Sequence, residues 1–312
     1  MSRRPRSSPL VVRLLREGIT ESIHYCDVAV ADHRGRIIAG AGDFHHGTFA
    51  RSCLKPIQAI PVLTTGALER FELTDRHLAI ICASHQGTIE HGRLAFQILW
   101  QCDVDPQYLK CPRQDHASVL QHNCSGKHSG MLAVCRHQNW SLTDYTDRDH
   151  PVQQLIRQKL GELLQMPPDE LVYAHDDCTA PTYLLEVGQM ASLYAYLTGQ
   201  ENIHLEHIAR AMTTYPEVIG GKGNFDTEVM TLTEGTILSK SGAEGVQCLG
   251  KMTEALGIAI KVADGSKRAK HAVAIHILRQ LSWVSAAITD RLAERFLQIG
   301  EFSRLEVEGE LA

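Results

Sequence analysis

Two kinds of periodicity divide this chain, and their order limits the folds open to it. Near the start, Asp27-Val-Ala-Val-Ala31 alternates, His33-Arg-Gly-Arg36 turns, and Ile37-Ile-Ala39 returns, which predicts a hairpin. Toward the end, Gly235–Ser239, Gly245–Leu249 and Gly257–Ala263 predict successive strands, and a long helix follows from Ser266 to about Ala287. Helical spacing fills the middle, at Ile89–Trp100, Gly126–His137, Pro151–Gln165, Thr182–Leu197 and Leu205–Thr214. Strands at both ends with helices between imply an α+β fold. Its mixed β-sheet, flanked by helices, is assembled from both ends of the chain and interrupted by a helical insert. Residues 1–312 are expected to form one unit, with the sheet part from about 1–85 and 235–312 and the helical part from about 86–234.

Two shorter segments refine this reading. Ser52–Leu68 is apolar at helical spacing but carries Pro56 and Pro61. Pro56 is tolerable if the helix starts near Ser52, whereas Pro61 should kink it. Leu78-Ala-Ile-Ile-Cys82 is a continuous apolar run suited to a buried strand, which would deliver Ala83-Ser-His-Gln-Gly87 to a loop.

Charge narrows the function classes. The net charge of -5 argues against a general nucleic-acid grip, which needs a clustered basic surface. The one basic run, Ser2-Arg-Arg-Pro-Arg-Ser7, precedes only four apolar residues, Pro9–Val12, too few for a secretory signal. No stretch approaches the roughly 18 apolar residues of a membrane span. A cytoplasmic protein is expected. The nine cysteines are scattered, odd in number and without a short-spaced framework, so most are expected to be reduced thiols acting as small hydrophobes.

Chemistry gathers at a few places. In Arg51-Ser-Cys-Leu-Lys55, three residues is nearly one helical turn, so Ser52 and Lys55 share a face. A serine hydroxyl attacks poorly unless a base takes its proton, and a lysine can be that base once burial or a nearby cation populates the amine. Acyl transfer on an amide or ester is the chemistry this pairing suits. Alone the motif is weak, because a solvated lysine one turn after a capping serine looks the same.

Other residues add weight. Ser84 lies where a loop leaves a buried element. On the run Gly257–Ala263, alternation puts Lys261 between Ala259 and Ala263, which leaves room beside the amine, although an edge-strand lysine reads alike. Lys240-Ser-Gly242 resembles the Lys-Thr/Ser-Gly strand of penicillin-recognising enzymes. Two polar knots, His122-Asn-Cys-Ser-Gly-Lys-His128 and His175-Asp-Asp-Cys178, together supply enough thiolates and nitrogens for a zinc site. Their spacing alone is not specific, and a lysine ligand would have to be neutral.

Taken in order, these segments resemble the rhizobial-type, or class 3, L-asparaginases of the asparaginase II family. The resemblance rests on Glu21–His24, Arg51–Gln58, Ala83–His85, His122–His128, Asp176–Cys178, Asp226-Thr227, Lys240–Val246 and Lys261–Gly265, covering about residues 20–270. It implies a fold like serine β-lactamases and glutaminases, a homodimer, and two serine/lysine tandems, Ser52 with Lys55 and Ser84 with Lys261. It also implies zinc held by Cys124, Lys127 and Cys178, close to the substrate and outside the hydrolytic centre, with Asp176 as a substrate or metal-shell ligand. Arg51 and His128 join Asp176 as substrate-binding candidates. Departures from the family pattern are Thr88 in place of glutamate, Asp177 in place of glycine, and Lys222-Gly-Asn224 in place of an arginine-bearing segment. They bear on affinity and selectivity rather than on reaction type.

The expected activity is hydrolysis of the L-asparagine side-chain amide, with Ser52 as nucleophile and Lys55 as base. Ser84 and Lys261 would relay protons, and a swap of roles between the tandems is open. Two rivals stand beside this reading. One is a glutaminase or β-lactam-type acyl hydrolase; the other is a non-catalytic amino-acid- or metal-binding protein.

Overall fold

The computed structural model describes residues 8–112 and 118–312. The basic run at Ser2–Ser7 lies outside the described residues. The fold is α+β, with an antiparallel sheet and helices. The chain divides into two compact units: residues 1–53, 185–201 and 228–312, and residues 54–184 and 202–227.

The first unit holds an eight-stranded sheet drawn from both ends of the chain. Its strands run in the order Gln298–Gly300, Ser303–Glu308, Leu10–Arg16, Ile19–Ala31, Leu256–Val262, Val246–Lys251 and Ile237–Ser241, with Ile37–Ala41 paired to Ile19–Ala31. The predicted hairpin is present in the register Val28↔Ala41 and Ala29↔Gly40. Leu256–Val262 is buried along almost its whole length instead of on alternate residues. That pattern belongs to a strand covered on both faces. The helices Val187–Leu197 and Lys267–Gln280 both pack on it. The first comes so close that a Cβ on Gly257 would fall 2.0 Å from the Ala191 carbonyl oxygen. The small residues Ala191 and Ala195 stand at that contact.

The second unit is built around the helix Asp75–Cys82, which contacts the helices Lys55–Gln58, Ile89–Gln101, Ser125–Gln138, Ile203–Thr214 and Pro216–Gly220. The strand expected at Leu78–Cys82 is therefore a helix. Its run is apolar because neighbours surround it on every side, and a fully buried helix shows no polar face. The overlooked start signal is Thr74, whose capping box with His77 opens the helix.

Three further expectations change. Thr182–Leu197 divides into a strand, Pro181–Glu186, and a helix starting at Val187. The long helix from Ser266 ends at Gln280, and Ser282 takes a positive φ of 53° before a second helix at Ala286–Phe296. Ser52–Leu68 is broken at its prolines into short turns of helix, as their geometry requires. Among the described residues no helix is long and apolar enough to cross a membrane.

Candidate active site

In the second unit, the helix Asp75–Cys82 ends at Ala83 and hands the chain to the loop Ser84–Gly87. The Ser84 amide donates to the Ile219 carbonyl at 3.0 Å. Gly87 closes the loop with φ 71°, and a Cβ there would lie 2.4 Å from the Gln121 oxygen, so only glycine fits. Gln121 Nε2 donates in turn to the Gly87 carbonyl at 2.9 Å.

Lys55 opens the helix Lys55–Gln58 and is 1% exposed. Its Nζ donates to the Ala83 carbonyl at 2.6 Å, the Ser84 hydroxyl at 3.0 Å and the Asn123 carbonyl at 3.1 Å. An ammonium has three N–H bonds and no acceptor, so these partners use all of them. When one proton leaves, the two carbonyls can only accept and keep the two remaining N–H bonds. The lone pair is then directed at the serine hydroxyl. This is the geometry of a base for Ser84.

Beside it stands the second knot. Ser125–Gln138 begins directly after Cys124, and Gly126 lets it close on the central helix: a Cβ there would sit 2.0 Å from the Ile80 oxygen. Lys127 Nζ donates to Cys178 Sγ at 3.0 Å. Cys178 is presented by the turn Asp176–Ala180, closed by the Asp176 amide on Ala180 O and the Thr179 amide on Asp176 O. The hydrogen bond from Cys124, then the charge and N–H of Lys127, pull the Cys178 thiol down to about 5 against the effect of burial. Burial would lower the Lys127 ammonium, but Cys178, Cys124 and Asp176 outweigh it and hold its pKa above the ordinary lysine value. The cluster is thus a thiolate paired with a buried cation. Its two sulfurs and one nitrogen fit a soft divalent cation with a coordination position left over, provided Lys127 gives up its proton. Among the described residues, no group of three or more His, Cys, Asp or Glu could hold a metal without that lysine.

His128 follows on the same helix and is fully buried. The Tyr145 hydroxyl accepts from the Lys110 amide at 2.9 Å, so its single proton goes to His128 Nδ1 at 2.8 Å. Burial first, then Lys127, pushes this imidazole down to about 3. It is neutral, carries its proton on Nε2, and that atom has no hydrogen-bond partner among the described residues. An orphaned buried N–H is a donor awaiting an acceptor.

The first unit carries the remaining candidates. Ser52 lies in the 3-10 turn Arg51–Leu54, which runs without a break into the helix starting at Lys55. Tyr194 fixes that turn by donating to the Cys53 carbonyl at 2.8 Å, and Cys53 Sγ reaches the Lys240 carbonyl at 3.1 Å. Arg51 stands in the left-handed region at φ 49°, a conformation that costs roughly 1–2 kcal/mol for a residue with a Cβ. Lys261 pairs in register with Asp27 on one side and Val246 on the other, and its Nζ donates to the Glu244 carbonyl. Burial lowers its ammonium pKa, and the carboxylates of Glu244, Asp264 and Asp27 only partly restore it. Two segments of the resemblance meet here: His24 Nδ1 lies 2.6 Å from Asp264 Oδ2.

Lys240 is wholly buried and donates to the Ser241 carbonyl at 2.8 Å. Lys270 went unremarked in the sequence, yet it is buried and donates to the carbonyls of Gly242 and Val246. Its signal was a lysine at an apolar position of a helix, next to Ala269, His271 and Ala272.

No curated protein matches the chain. Among solved structures, the chain is similar to a β-lactamase from Mycobacterium bovis, at 15% identity and a TM-score of 0.44, covering 87% of this chain and 95% of that one. A family model for L-asparaginase II matches residues 12–312, nearly the whole chain. The chain belongs to the L-asparaginase II family.

Proposed function

We propose that this chain hydrolyses the side-chain amide of L-asparagine to L-aspartate and ammonia by serine/lysine acyl transfer. The observation that carries the serine/lysine chemistry is the Lys55 amine, buried and held by two backbone carbonyls so that its third direction meets the Ser84 hydroxyl. In this mechanism Ser52 Oγ attacks the side-chain carbonyl carbon of asparagine while Lys55, one helical turn away along the backbone, takes its proton. The tetrahedral intermediate collapses, the C–N bond breaks, and the nitrogen leaves as ammonia carrying a proton delivered through Ser84 and Lys261. Water then adds to the aspartyl ester and gives one proton back through Ser84 to Lys261, and the serine oxygen leaves with the proton that Lys55 returns. We assign Arg51 to the substrate carboxylate, Asp176 to its ammonium group, and His128 Nε2–H to a substrate oxygen.

A second reading exchanges the serines. It is favoured by the 3.0 Å contact of Lys55 with Ser84, which makes Ser84 the nucleophile. Acid quench during turnover, followed by peptide mapping, separates the two: the aspartyl adduct falls on the peptide of Ser52 or on that of Ser84. Purified protein should release ammonia from asparagine faster than from glutamine and leave a chromogenic β-lactam intact. Ser52→Ala should lose at least about 10³-fold in kcat. A folded Ser52→Ala protein with near-normal ammonia release removes the first assignment.

Cys124, Lys127 and Cys178 would hold a zinc ion. When bound, it would supply a fixed positive charge that polarises a nearby substrate oxygen. Elemental analysis of folded protein should find about one zinc per chain on this reading, and only trace metal rejects it. We further propose a cytoplasmic homodimer, which sedimentation of the purified protein tests for its assembly.

A further inference from the structure

The loop that carries Ser84 is held by a second side chain besides Lys55. His85 is buried, and its two ring nitrogens make different contacts. The Gly87 amide donates to Nδ1 at 3.1 Å. Nε2 lies 3.0 Å from Ser125 Oγ, whose own proton goes to the Leu120 carbonyl at 2.7 Å. A backbone N–H cannot accept, so Nδ1 must carry the lone pair. A serine that has given its one proton away can only accept, so Nε2 must carry the hydrogen. The tautomer is thereby fixed as neutral with Nε2–H.

The surroundings enforce that state. Burial comes first, and the neighbouring His91, Lys55 and His122 all add positive potential, which drives the imidazole well below its usual pKa. The His91 ring stacks on it at 4.8 Å. His91 is itself anchored, with Nδ1 on the Thr88 hydroxyl and Nε2 on the Glu217 carbonyl. A protonated His85 would turn Nδ1 from acceptor to donor against the Gly87 N–H.

Two struts therefore join the Ser84 segment to the segment before Ser125–Gln138. Lys55 links Ala83 to Asn123, and His85 links the loop to Ser125 and Leu120. Ser84 lies between them, one residue from each. We infer that His85 is a positioning residue for the proposed reaction: its neutral Nε2–H tautomer fixes the Ser84 hydroxyl against the Lys55 amine. This rests on the second reading above, in which Ser84 is the nucleophile and Lys55 its base.

The test uses the full chain and three variants. His85→Phe keeps a ring to stack on His91 but removes both polar contacts. His85→Gln restores an N–H near the Nε2 position, and His85→Asn restores an acceptor near Nδ1. In asparagine turnover, His85→Phe should lose about 10- to 100-fold in kcat with KM within about twofold, as a displaced catalytic group does. His85→Gln should recover a large part of that loss. In parallel, the rate of covalent labelling of Ser84 by a fluorophosphonate probe is followed by peptide mapping, which requires no asparagine turnover. It should fall in His85→Phe and recover in His85→Gln or His85→Asn.

Wild-type kcat and Ser84 labelling in folded His85→Phe overturn the inference, as does loss in all three variants in proportion to lost folded protein. No labelling of Ser84 in the wild type overturns it too. Should the wild type fail to hydrolyse asparagine while the labelling pattern holds, the substrate reading fails and the positioning role stands. Nitrogen-15 spectra of histidine-labelled protein give a further check. The His85 ring should still be the neutral Nε2–H form at the ordinary histidine midpoint near pH 6.5, and a cationic or Nδ1–H ring there contradicts the inference.

Discussion

His77 shows how a single ring can make a helix sensitive to acid. Its Nδ1 accepts from the Thr74 amide at 3.1 Å and closes the capping box, while Nε2 faces Gln97 Oε1 at 3.4 Å. Burial first lowers its pKa, Arg76 adds to this, and the Gln97 contact opposes it. A folded-state pKa below the unfolded value favours the neutral ring. The stabilisation is complete above the unfolded pKa near 6.5 and is lost as pH falls through the lower folded value. Protonation also removes the acceptor that the cap needs. His77→Gln keeps an acceptor at the same helix position but cannot be protonated. Denaturant unfolding from pH 7 to 4 should therefore show a flatter loss of stability in His77→Gln, by about 1 kcal/mol, the usual worth of a cap. Parallel pH curves for the two proteins would show that the capping histidine does not control the acid response.

At the scale of elements, the central helix and its neighbours fix where the candidate residues stand. Gly126→Ala would force a carbon into the Ile80 carbonyl, where no flexible side chain can give way. The variant should lose about 2–3 kcal/mol, in the range of overpacked cores, and calorimetry should show a lower Tm. Full wild-type stability in Gly126→Ala would mean that the two helices do not meet so closely.

Element type was legible where amphipathic spacing is strong, as in Ile89–Gln101 and Pro151–Leu164, and where a turn is explicit, as in the hairpin after Ala31. It failed at Leu78–Cys82, because a short segment buried on all sides carries no period to separate helix from strand, and at Thr182–Glu186, where a short strand runs directly into the helix starting at Val187. Leu10–Arg16 and Ser303–Glu308 went unpredicted, and their pairing with each other joins segments from opposite ends of the chain that no local spacing reveals. The candidate residues themselves were legible from motif order. Their contacts were not: nothing in the spacing of Lys55 and Ser84 says that the amine meets that hydroxyl. The role of His85 was equally hidden, since its bond to Ser125 depends on the fold of a segment 40 residues away.

For the whole molecule, the feature with the widest reach is the sheet's closure by both ends. Leu10–Arg16 lies between Ile19–Ala31 and Ser303–Glu308, and the amides and carbonyls of Ala312 and Gly40 pair reciprocally at 3.0 Å. Removing residues 303–312 would leave the first strand as an exposed edge with an unpaired ladder. Such a truncation should lower soluble yield and broaden the thermal transition; unchanged yield and cooperativity would show that this pairing adds little.

The same closure sets a clock on biosynthesis. A ribosome adding 5–20 residues per second takes about 15–60 s to make a chain of this length. Throughout that time the strand Leu10–Arg16 waits for its second neighbour, Ser303–Glu308. Slow translation thus lengthens the interval in which the nascent sheet can join a foreign strand, and chaperone capture of unfinished chains should matter more here than for a protein whose strands pair in order of synthesis.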